Sequence, residues 1–276
     1  GLGDVYKRQL LYDEVMDKAS LAMAAGASFM LLGPKDTMLK SSKPVIAVCA
    51  TRTGAGKSTV SRKVARILRK VGVKYVIVRH PMPYGDLVKQ KVQRFATMED
   101  VLTKAFTIEE REEYEPHIRE GNIVYAGVDY AEILKEAEKE ADVIVWDGGN
   151  NDFPFYKPDL MITVVDPLRA GHEVLSYPGK INLLMANIVV INKVNVAKRE
   201  DVEKVLNNIR KNNPNAVIIK ANSEIYVDHP ENIRGKRVVV VEDGPTVTHG
   251  QLGLSLIHIS EPTRPRLISY AVFCLK

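Results

Sequence analysis

The amino-acid sequence predicts an α/β fold built on a doubly wound, mostly parallel sheet. The first observation behind this prediction is that short apolar runs alternate with charged segments of helical periodicity along most of the chain. The second is a glycine-rich turn between one apolar run and the helix-like segment that follows it. The third is that acidic and basic residues come directly after several apolar runs, where parallel sheets bind their ligands.

The predicted elements follow in order along the chain. A helix is expected from Asp13 to Ala25, and a short apolar strand is expected at 29–32. The interval 80–141 receives no predicted strand, and the charge-rich run 109–117 within it fits either a solvated helix face or a functional segment. Further strands are predicted at 44–49, 74–79, 142–147, 160–165, 187–191 and 216–220, with helices at 57–71 and 198–212.

Residues 50–59, Ala-Thr-Arg-Thr-Gly-Ala-Gly-Lys-Ser-Thr, have the features of a phosphate-binding loop, or P-loop. The glycines allow backbone N–H groups to wrap a phosphate, and the following helix adds about half a positive charge at its N-terminus. Lys57 is expected to reach the β- and γ-phosphates of a nucleotide, and the Ser58 hydroxyl to ligate Mg²⁺. The residues predicted to contact the nucleotide are Thr53, Gly54, Ala55, Gly56, Lys57, Ser58 and Thr59. The sequence therefore predicts a P-loop NTPase.

The loop departs from the commonest P-loop pattern at one position, because Thr51 stands where that pattern has glycine. Arg52 lies five residues before Lys57, so the loop resembles the variant in which a second basic residue opens the turn. It also resembles the Thr-Gly-x-Gly-Lys loops of dethiobiotin synthetase and its relatives. We expect Arg52 to act in catalysis together with Lys57. The alternative is a glycine-rich turn followed by Lys-Ser by chance.

Asp147 is the second candidate site residue, since it ends the apolar run 142–147 and precedes two glycines. An acid so placed in a P-loop protein holds Mg²⁺ directly or through water. Asp147 is therefore predicted to be catalytic and a metal ligand. The alternative is a structural acid that caps the next element.

The segment 189–195 suggests a contact with the nucleotide base. Asn192, Lys193 and Asn195 resemble the guanine-reading Asn-Lys-x-Asp of GTPases, with asparagine at the last position. An aspartate accepts two N–H groups from guanine, whereas an amide offers an acceptor and donors, so guanine preference is in doubt. The alternative is a strand-to-loop turn whose asparagines form local hydrogen bonds.

Four cationic side chains are candidates for binding an anionic substrate. Arg79 and His80 follow a predicted strand and precede a loop stiffened by Pro81 and Pro83. Arg169 and His172 follow another strand and should reach the same sheet edge. A structural role is the alternative, above all for a single histidine.

The two ends of the chain, 1–9 and 254–276, resemble translations of sequencing-library adapter DNA. The expected division is 10–42 as the end of a truncated N-terminal α/β domain with its linker, 43–223 as the P-loop domain, and 224–253 as the start of a truncated C-terminal region. Together the two ends carry five basic and two acidic residues, which leaves 34 basic and 32 acidic ones of the 39 and 34 in the chain.

This charge balance argues against a nucleic-acid partner. A single cysteine, Cys49, remains outside the ends, which excludes a disulfide framework and fits a cytoplasmic protein. The sequence contains no apolar run long enough to span a membrane, so no membrane partner is expected.

Taken together, the motifs resemble the cyclic 2,3-diphosphoglycerate synthetase family, whose members are longer at both ends. Departures are Asn195 and the segment 168–170. The stretches that carry the resemblance are Lys43–Ala50, Arg79–Asp86, Thr107–His117, Tyr125–Asp129, Trp146–Asp152 and Val241–Thr246.

The resemblance implies ATP-dependent closure of an intramolecular pyrophosphate in 2,3-diphosphoglycerate, with Mg²⁺ and with GTP as a possible replacement for ATP. It also implies a phosphorylated, anionic small-molecule substrate, bound by Arg79, His80, Arg169 and His172, and allows a homo-oligomer. The alternative is a GTPase or metallochaperone-like nucleotide switch that acts on a protein partner.

Overall fold

A computed structural model of the 276-residue chain describes residues 10–80, 86–104, 107–148, 152–224, 238–240 and 272–274. Its helices are α1 (Tyr12–Ala24), α2 (Pro34–Thr37), α3 (Lys57–Lys70), α4 (Met98–Lys104), α5 (Ile108–Arg119), α6 (Tyr130–Glu140), α7 (His172–Leu175), α8 (Gly179–Met185) and α9 (Arg199–Asn212), with a 3-10 turn at Pro167–Arg169. Its strands are β1 (Val45–Ala50), β2 (Tyr75–Arg79), β3 (Val92–Phe95), β4 (Val124–Gly127), β5 (Val143–Asp147), β6 (Leu160–Val165), β7 (Ile188–Ile191), β8 (Val217–Lys220), β9 (Val238–Val240) and β10 (Val272–Cys274).

Strands β1 to β8 form one sheet in the order β3-β4-β2-β5-β1-β6-β7-β8, and β9 pairs antiparallel with β10. Every neighbouring pair of the large sheet is parallel except β3 with β4. In the sheet, strands β2 to β5 all lie to one side of β1, and strands β6 to β8 lie to its other side. The predicted doubly wound, mostly parallel α/β fold is confirmed, and its winding changes side at β1, directly before the P-loop.

The central strands of the sheet are buried on both faces, as parallel strands require, whereas the edge strand β8 is largely exposed. Along β1, Val45, Ala47 and Cys49 face one apolar cluster, whereas Val48 and Ala50 face another. This alternation is the two-residue period of a strand. The predicted strands from 44–49 to 216–220, and the predicted helices, are confirmed to within one or two residues.

Aromatic packing fixes Trp146, the residue of β5 that directly precedes Asp147. Trp146 is fully buried and meets Tyr130 and Tyr156 edge-on, with ring centroids 5.6 and 5.5 Å apart. Such pairs contribute about 0.5–1.5 kcal/mol beyond the burial of their area. The end of β5 is therefore a rigid support for the acid that follows Trp146.

The predicted strand at 29–32 is wrong, because these residues adopt no regular structure and their apolar side chains are largely exposed. A strand needs a hydrogen-bonded partner, and residues 29–32 pair with none of the described strands. Segment 10–42 instead contacts the sheet domain through single bridges, Leu11 with Ser176 and Leu39 with Tyr156. The expected division into domains stays a prediction.

The interval 80–141 contains elements that the sequence did not predict. β3 and β4 extend the sheet at one edge, and α4, α5 and α6 pack near them. The charge-rich run 109–117 lies in α5, which buries Tyr114, His117 and Ile118 on one side. No helix among the described residues combines the length and apolar character that crossing a bilayer requires.

Candidate functional site

The P-loop connects the central strand β1 to α3 and has the backbone curvature that its glycines predict. Gly54 and Gly56 have φ values of 81° and 95°, which favour glycine. A Cβ atom on Gly56 would lie 2.2 Å from Asn192 Nδ2. Gly56 caps α3 without a side-chain hydrogen bond, so the first turn of the helix faces the loop as an anion-binding terminus. The loop fits a phosphate group.

Two predicted base-contacting residues support the P-loop from behind. Asn192 Nδ2 donates to the carbonyl oxygen of Ala55 over 2.9 Å. Lys193 Nζ donates to the carbonyl of Gly54 over 2.5 Å and to Asp166 Oδ2 over 2.9 Å. These contacts hold the loop in its curved form. A contact of either residue with a nucleotide stays a prediction.

The side-chain amide of Asn195 makes two hydrogen bonds with the backbone of Ser223. Its Nδ2 donates to the Ser223 carbonyl over 3.3 Å, and its Oδ1 accepts from the Ser223 N–H over 3.0 Å. Base reading by Asn195 would require this pair of hydrogen bonds to be exchanged. The role of Asn195 in base selection stays a prediction.

The most densely connected part of the site is the Asp147 cluster, which we define as Lys57, Arg79, His117 and Asp147. Sheet register places Arg79 and Val48 on either side of Asp147. Asp147 Oδ1 receives Lys57 Nζ at 2.5 Å and Arg79 Nη1 at 3.1 Å, and Oδ2 lies 3.0 Å from His117 Nε2. All four side chains are buried, so these interactions are little screened by solvent.

The charges of the Asp147 cluster decide its protonation. Burial alone would raise the pKa of Asp147, but the charges of Arg79 and Lys57 and the hydrogen bond with His117 hold that pKa well below its usual value. Burial, and then the charge of Arg79, lowers the pKa of Lys57 despite its contact with Asp147. Asp147 is therefore an ionised carboxylate with two cations on one oxygen.

Arg79 lies in the wall of the site. Its Nη1 donates to the carbonyls of Asp147 and Gly148 over 3.0 and 3.3 Å, and its Nη2 pairs with Glu113. The half-buried His80 pairs through Nδ1 with Asp152, and its backbone N–H donates to the backbone carbonyl of Asp147. Pro81 and Pro83 lie outside the described residues. The predicted binding of substrate by Arg79 and His80 stays a prediction.

A second cationic group lies on the β6 side of the P-loop and comprises Arg52, Arg169 and His172. Arg52 Nη1 donates to His172 Nδ1 over 3.2 Å, and Arg52 Nε donates to the Thr53 carbonyl over 3.2 Å. Burial, followed by the charge of Arg169, lowers the pKa of Arg52. Burial, followed by the charges of Arg52 and Arg169, lowers the pKa of His172. The structure thus brings these three predicted residues together.

Sequence reasoning missed His117, Glu113 and Asp166 as parts of the site. His117 and Glu113 lie within the charge-rich run, where a buried helix face was not predicted. The signal that could have revealed this face is the helical spacing of Glu110, Tyr114 and His117, all of which are buried. The run is therefore partly solvated and partly built into the site.

Comparison with known proteins identifies similar synthetases. No protein-family model matches the chain. The chain is 64% identical over 239 residues to "Arginine synthetase ArcE" of Thermococcus kodakarensis, covering 87% of this chain and 53% of that protein. It is 25% identical over 243 residues to "Cyclic 2,3-diphosphoglycerate synthetase" of Thermococcus sibiricus, covering 80% of this chain and 54% of that protein. The chain thus spans about half the length of the curated relatives it matches.

Two solved structures have weaker likeness. The hydrogenase maturation factor HypB of Archaeoglobus fulgidus is 17% identical, with a TM-score of 0.42 over 65% of this chain and 81% of that one. LpxK of Aquifex aeolicus, solved in complex with ATP, is 15% identical, with a TM-score of 0.44 over 65% of this chain and 55% of that one.

These relatives correct the expected function. The prediction that the chain forms cyclic 2,3-diphosphoglycerate is wrong. The relative that is 64% identical is named for arginine synthesis, whereas the diphosphoglycerate synthetase is only 25% identical. Both relatives are named as synthetases, which gives no support to the alternative of a nucleotide switch. The chain is a P-loop α/β protein that is similar to arginine synthetase ArcE and, more distantly, to cyclic 2,3-diphosphoglycerate synthetases.

Proposed function

We propose that this chain carries the nucleotide-binding part of a synthetase that forms arginine at the expense of ATP. The observation that carries the proposal is the 64% identity with ArcE. An alignment of 239 residues in a chain of 276 must include the P-loop, Asp147 and everything between them. The residues of the candidate site therefore belong to the aligned part. A cytoplasmic location belongs to the same proposal.

The P-loop and the Asp147 cluster supply the groups that ATP and Mg²⁺ need. The curved loop and the α3 N-terminus would hold the phosphates, and Ser58 and Asp147 would hold Mg²⁺. Bound Mg-ATP would supply its γ-phosphoryl group to an oxygen of the substrate with release of ADP, and an incoming nitrogen nucleophile would then displace that oxygen as inorganic phosphate. Lys57 would exchange Asp147 Oδ1 for a phosphate oxygen and neutralise charge there. GTP in place of ATP is the alternative for the nucleotide.

An amino-acid substrate brings a carboxylate, and the group of Arg52, Arg169 and His172 is our candidate for its binding. Arginine side chains bind carboxylates by donating two parallel N–H hydrogen bonds. The proposed substrate is thus a small molecule whose carboxylate is the recognised group.

The proposal is tested in the reverse direction, because an enzyme catalyses both directions and only the product has to be known. The chain is incubated with arginine, ADP, phosphate and Mg²⁺, and ATP is followed by luciferase luminescence. We expect ATP formation that depends on arginine and is lost in Lys57→Ala. ATP formation without arginine, or none with it, would contradict the proposal. The proposal would also be contradicted if 2,3-diphosphoglycerate stimulated ATP hydrolysis while arginine, ADP and phosphate gave no ATP.

A further inference from the structure

A line of hydrogen bonds leads from the surface of α3 to Asp147 through Asn122 and through His117 of the Asp147 cluster. Asn122 follows α5, and its Oδ1 lies 2.6 Å from Arg69 Nη2 and 2.6 Å from the Tyr75 hydroxyl. Its Nδ2 lies 3.4 Å from His117 Nδ1, and His117 Nε2 lies 3.0 Å from Asp147 Oδ2. Asn122 and His117 are 2% and 1% exposed, so water does not compete for these contacts.

The donors and acceptors along this line allow a single assignment. An arginine side chain only donates, so the atom of Asn122 that faces Arg69 must be its carbonyl oxygen. The NH₂ group of Asn122 therefore faces His117, and Nδ1 of His117 must accept. In a neutral imidazole the other nitrogen then carries the proton. His117 Nε2–H consequently donates to the Asp147 carboxylate.

We infer that His117 and Asn122 are positioning residues that hold the Asp147 carboxylate in one orientation. Asn122 and the Asp147 carboxylate both favour the Nε2–H tautomer of His117, Asn122 holds the imidazole from its Nδ1 side, and His117 anchors Oδ2 of Asp147. The two cations of the cluster, Lys57 and Arg79, contact the other oxygen, Oδ1. The two oxygens of Asp147 are thus held by different kinds of donor.

The separation of the two oxygens matters when Lys57 is drawn away from Asp147. Oδ1 then loses one of its donors, but the neutral donor on Oδ2 stays in place. A neutral donor fixes orientation without adding a charge that the buried cluster would have to balance. Outer hydrogen-bond partners of this kind typically change metal affinity or activity by about 10–100-fold when they are removed.

The first test is the tautomer of His117, which does not depend on any activity. Two-dimensional ¹H–¹⁵N spectra of the imidazole groups are recorded for wild type, with His117→Gln used to assign the His117 signals. We expect the Nε2–H form in wild type, because both the Asp147 carboxylate and the Asn122 NH₂ group require it. An Nδ1–H tautomer in wild type would overturn the inference.

The second test is kinetic and rests on the proposed nucleotide-dependent function. We expect His117→Leu and Asn122→Leu to lower kcat about 10–100-fold with a change in nucleotide KM of about threefold or less, and His117→Gln, which keeps a donor, to recover most of kcat. The control is Glu120→Gln, which breaks the contact of Arg66 with Glu120 between the same two helices without reaching Asp147. We expect Glu120→Gln to keep wild-type kcat.

The outcomes separate the two proposals. Variants that melt earlier but keep wild-type kcat would show a merely structural role and overturn the inference. If no protein, wild type included, turns over nucleotide, the proposed function fails, and the spectra alone decide the positioning of His117. Should His117→Leu not fold, His117→Gln and Asn122→Leu carry the same comparison.

Discussion

At the scale of single residues, Asp147 is the point at which the candidate site is assembled. It follows the buried Trp146 on β5, and its carboxylate binds Lys57 and Arg79. Glu113, which is partly exposed, pairs with Arg79 at the edge of the Asp147 cluster, so the two cations face two carboxylates. Removing one member leaves an uncompensated charge, whereas removing an opposite pair does not.

This balance gives a prediction for Lys57 and Asp147. Lys57→Met should destabilise the protein by up to about 3–5 kcal/mol, because the buried Asp147 carboxylate keeps only one of its two cationic partners. The double variant Lys57→Met with Asp147→Asn should be less destabilised than the single one, since the opposite charge is removed as well. Urea unfolding measures both free energies. A double variant that loses as much stability as the sum of the two single variants would contradict the coupling. Both proteins should lack nucleotide turnover.

A second prediction at this scale concerns the backbone of the P-loop. Gly56→Ala places a methyl group 2.2 Å from Asn192 Nδ2 in a left-handed conformation, whereas Gly72→Ala meets the same kind of conformation with no atom within 4 Å. The conformational penalty of about 1–2 kcal/mol is common to both. Gly56→Ala should lose about 1 kcal/mol more, because Asn192 must release the Ala55 carbonyl.

Calorimetric titration with Mg-ATP and urea unfolding distinguish these two variants. We expect nucleotide binding to be retained in Gly72→Ala and weakened in Gly56→Ala. Equal loss of stability in both variants would show that Asn192 yields without cost, and the support of the loop by Asn192 would then be incorrect.

The residues of the site differ in how far they could be predicted from the sequence. The P-loop glycines, Lys57 and Asp147 follow strands and form a local pattern that has a physical meaning in itself. His117 gives no such pattern. It is separated from Asp147 along the chain by β4 and α6, and the two residues meet only when these elements have folded. Its helix reads as a solvated charge run, since the acids around it dominate the composition.

At the scale of elements, the strands that were predicted are short apolar runs, most of them buried and one, β8, largely exposed at an edge. β1, β5 and β6 are continuous apolar runs, which is typical of central parallel strands. β3, with the sequence Val-Gln-Arg-Phe, is an antiparallel edge strand that carries polar side chains, and β4 has only four residues. Neither length nor polarity distinguishes such strands from loops. The helix α5 was obscured for the same reason, although its start carries a clear signal.

That signal gives a prediction for α5. Thr107 accepts a hydrogen bond from the backbone of Glu110, whose side chain in turn accepts from the Thr107 N–H over 3.0 Å, as in a capping box. Thr107→Ala should destabilise the protein by about 0.5–2 kcal/mol. The control is Thr103→Ala on α4, where the exposed hydroxyl only donates to carbonyls of its own helix. Thermal and urea unfolding should show little change for this control.

The position of His117 connects this prediction to the site. If Thr107→Ala loosens the first turn of α5 alone, nucleotide affinity should stay close to that of wild type. Equal destabilisation by Thr107→Ala and Thr103→Ala would mean that the capping box does not stabilise α5.

At the scale of the whole molecule, two charged groups flank the central strand. The Asp147 cluster lies on the side of β5, and Arg52 with its neighbours lies on the side of β6, which pairs with the opposite edge of β1. In the first group Lys57 and Arg79 pair with Asp147 and Glu113, whereas the second combines two guanidinium groups with a histidine near Asp166. A partly buried histidine beside positive charges makes the stability of the fold sensitive to pH.

His172 is the member of this group whose protonation changes near neutral pH. Burial and the charges of Arg52 and Arg169 lower its pKa in the folded protein below the ordinary value of 6.5. The unfolded chain therefore binds a proton at His172 before the folded protein does, and stability must fall as the pH falls. This loss begins near the unfolded value of about 6.5 and ends once the pH lies below the folded value.

We therefore expect the free energy of unfolding of wild type to decrease more steeply below about pH 6.5 than that of His172→Gln, whose amide oxygen can still accept from Arg52 but does not titrate. Urea unfolding at a series of pH values gives both curves, and their difference isolates His172 from all other titrating groups. The two curves should run parallel above neutral pH. A difference that grows in favour of wild type on acidification would mean that the imidazolium is stabilised in the folded protein. The group around Arg52 would then be dominated by Asp166, and it would no longer be our candidate for binding a carboxylate.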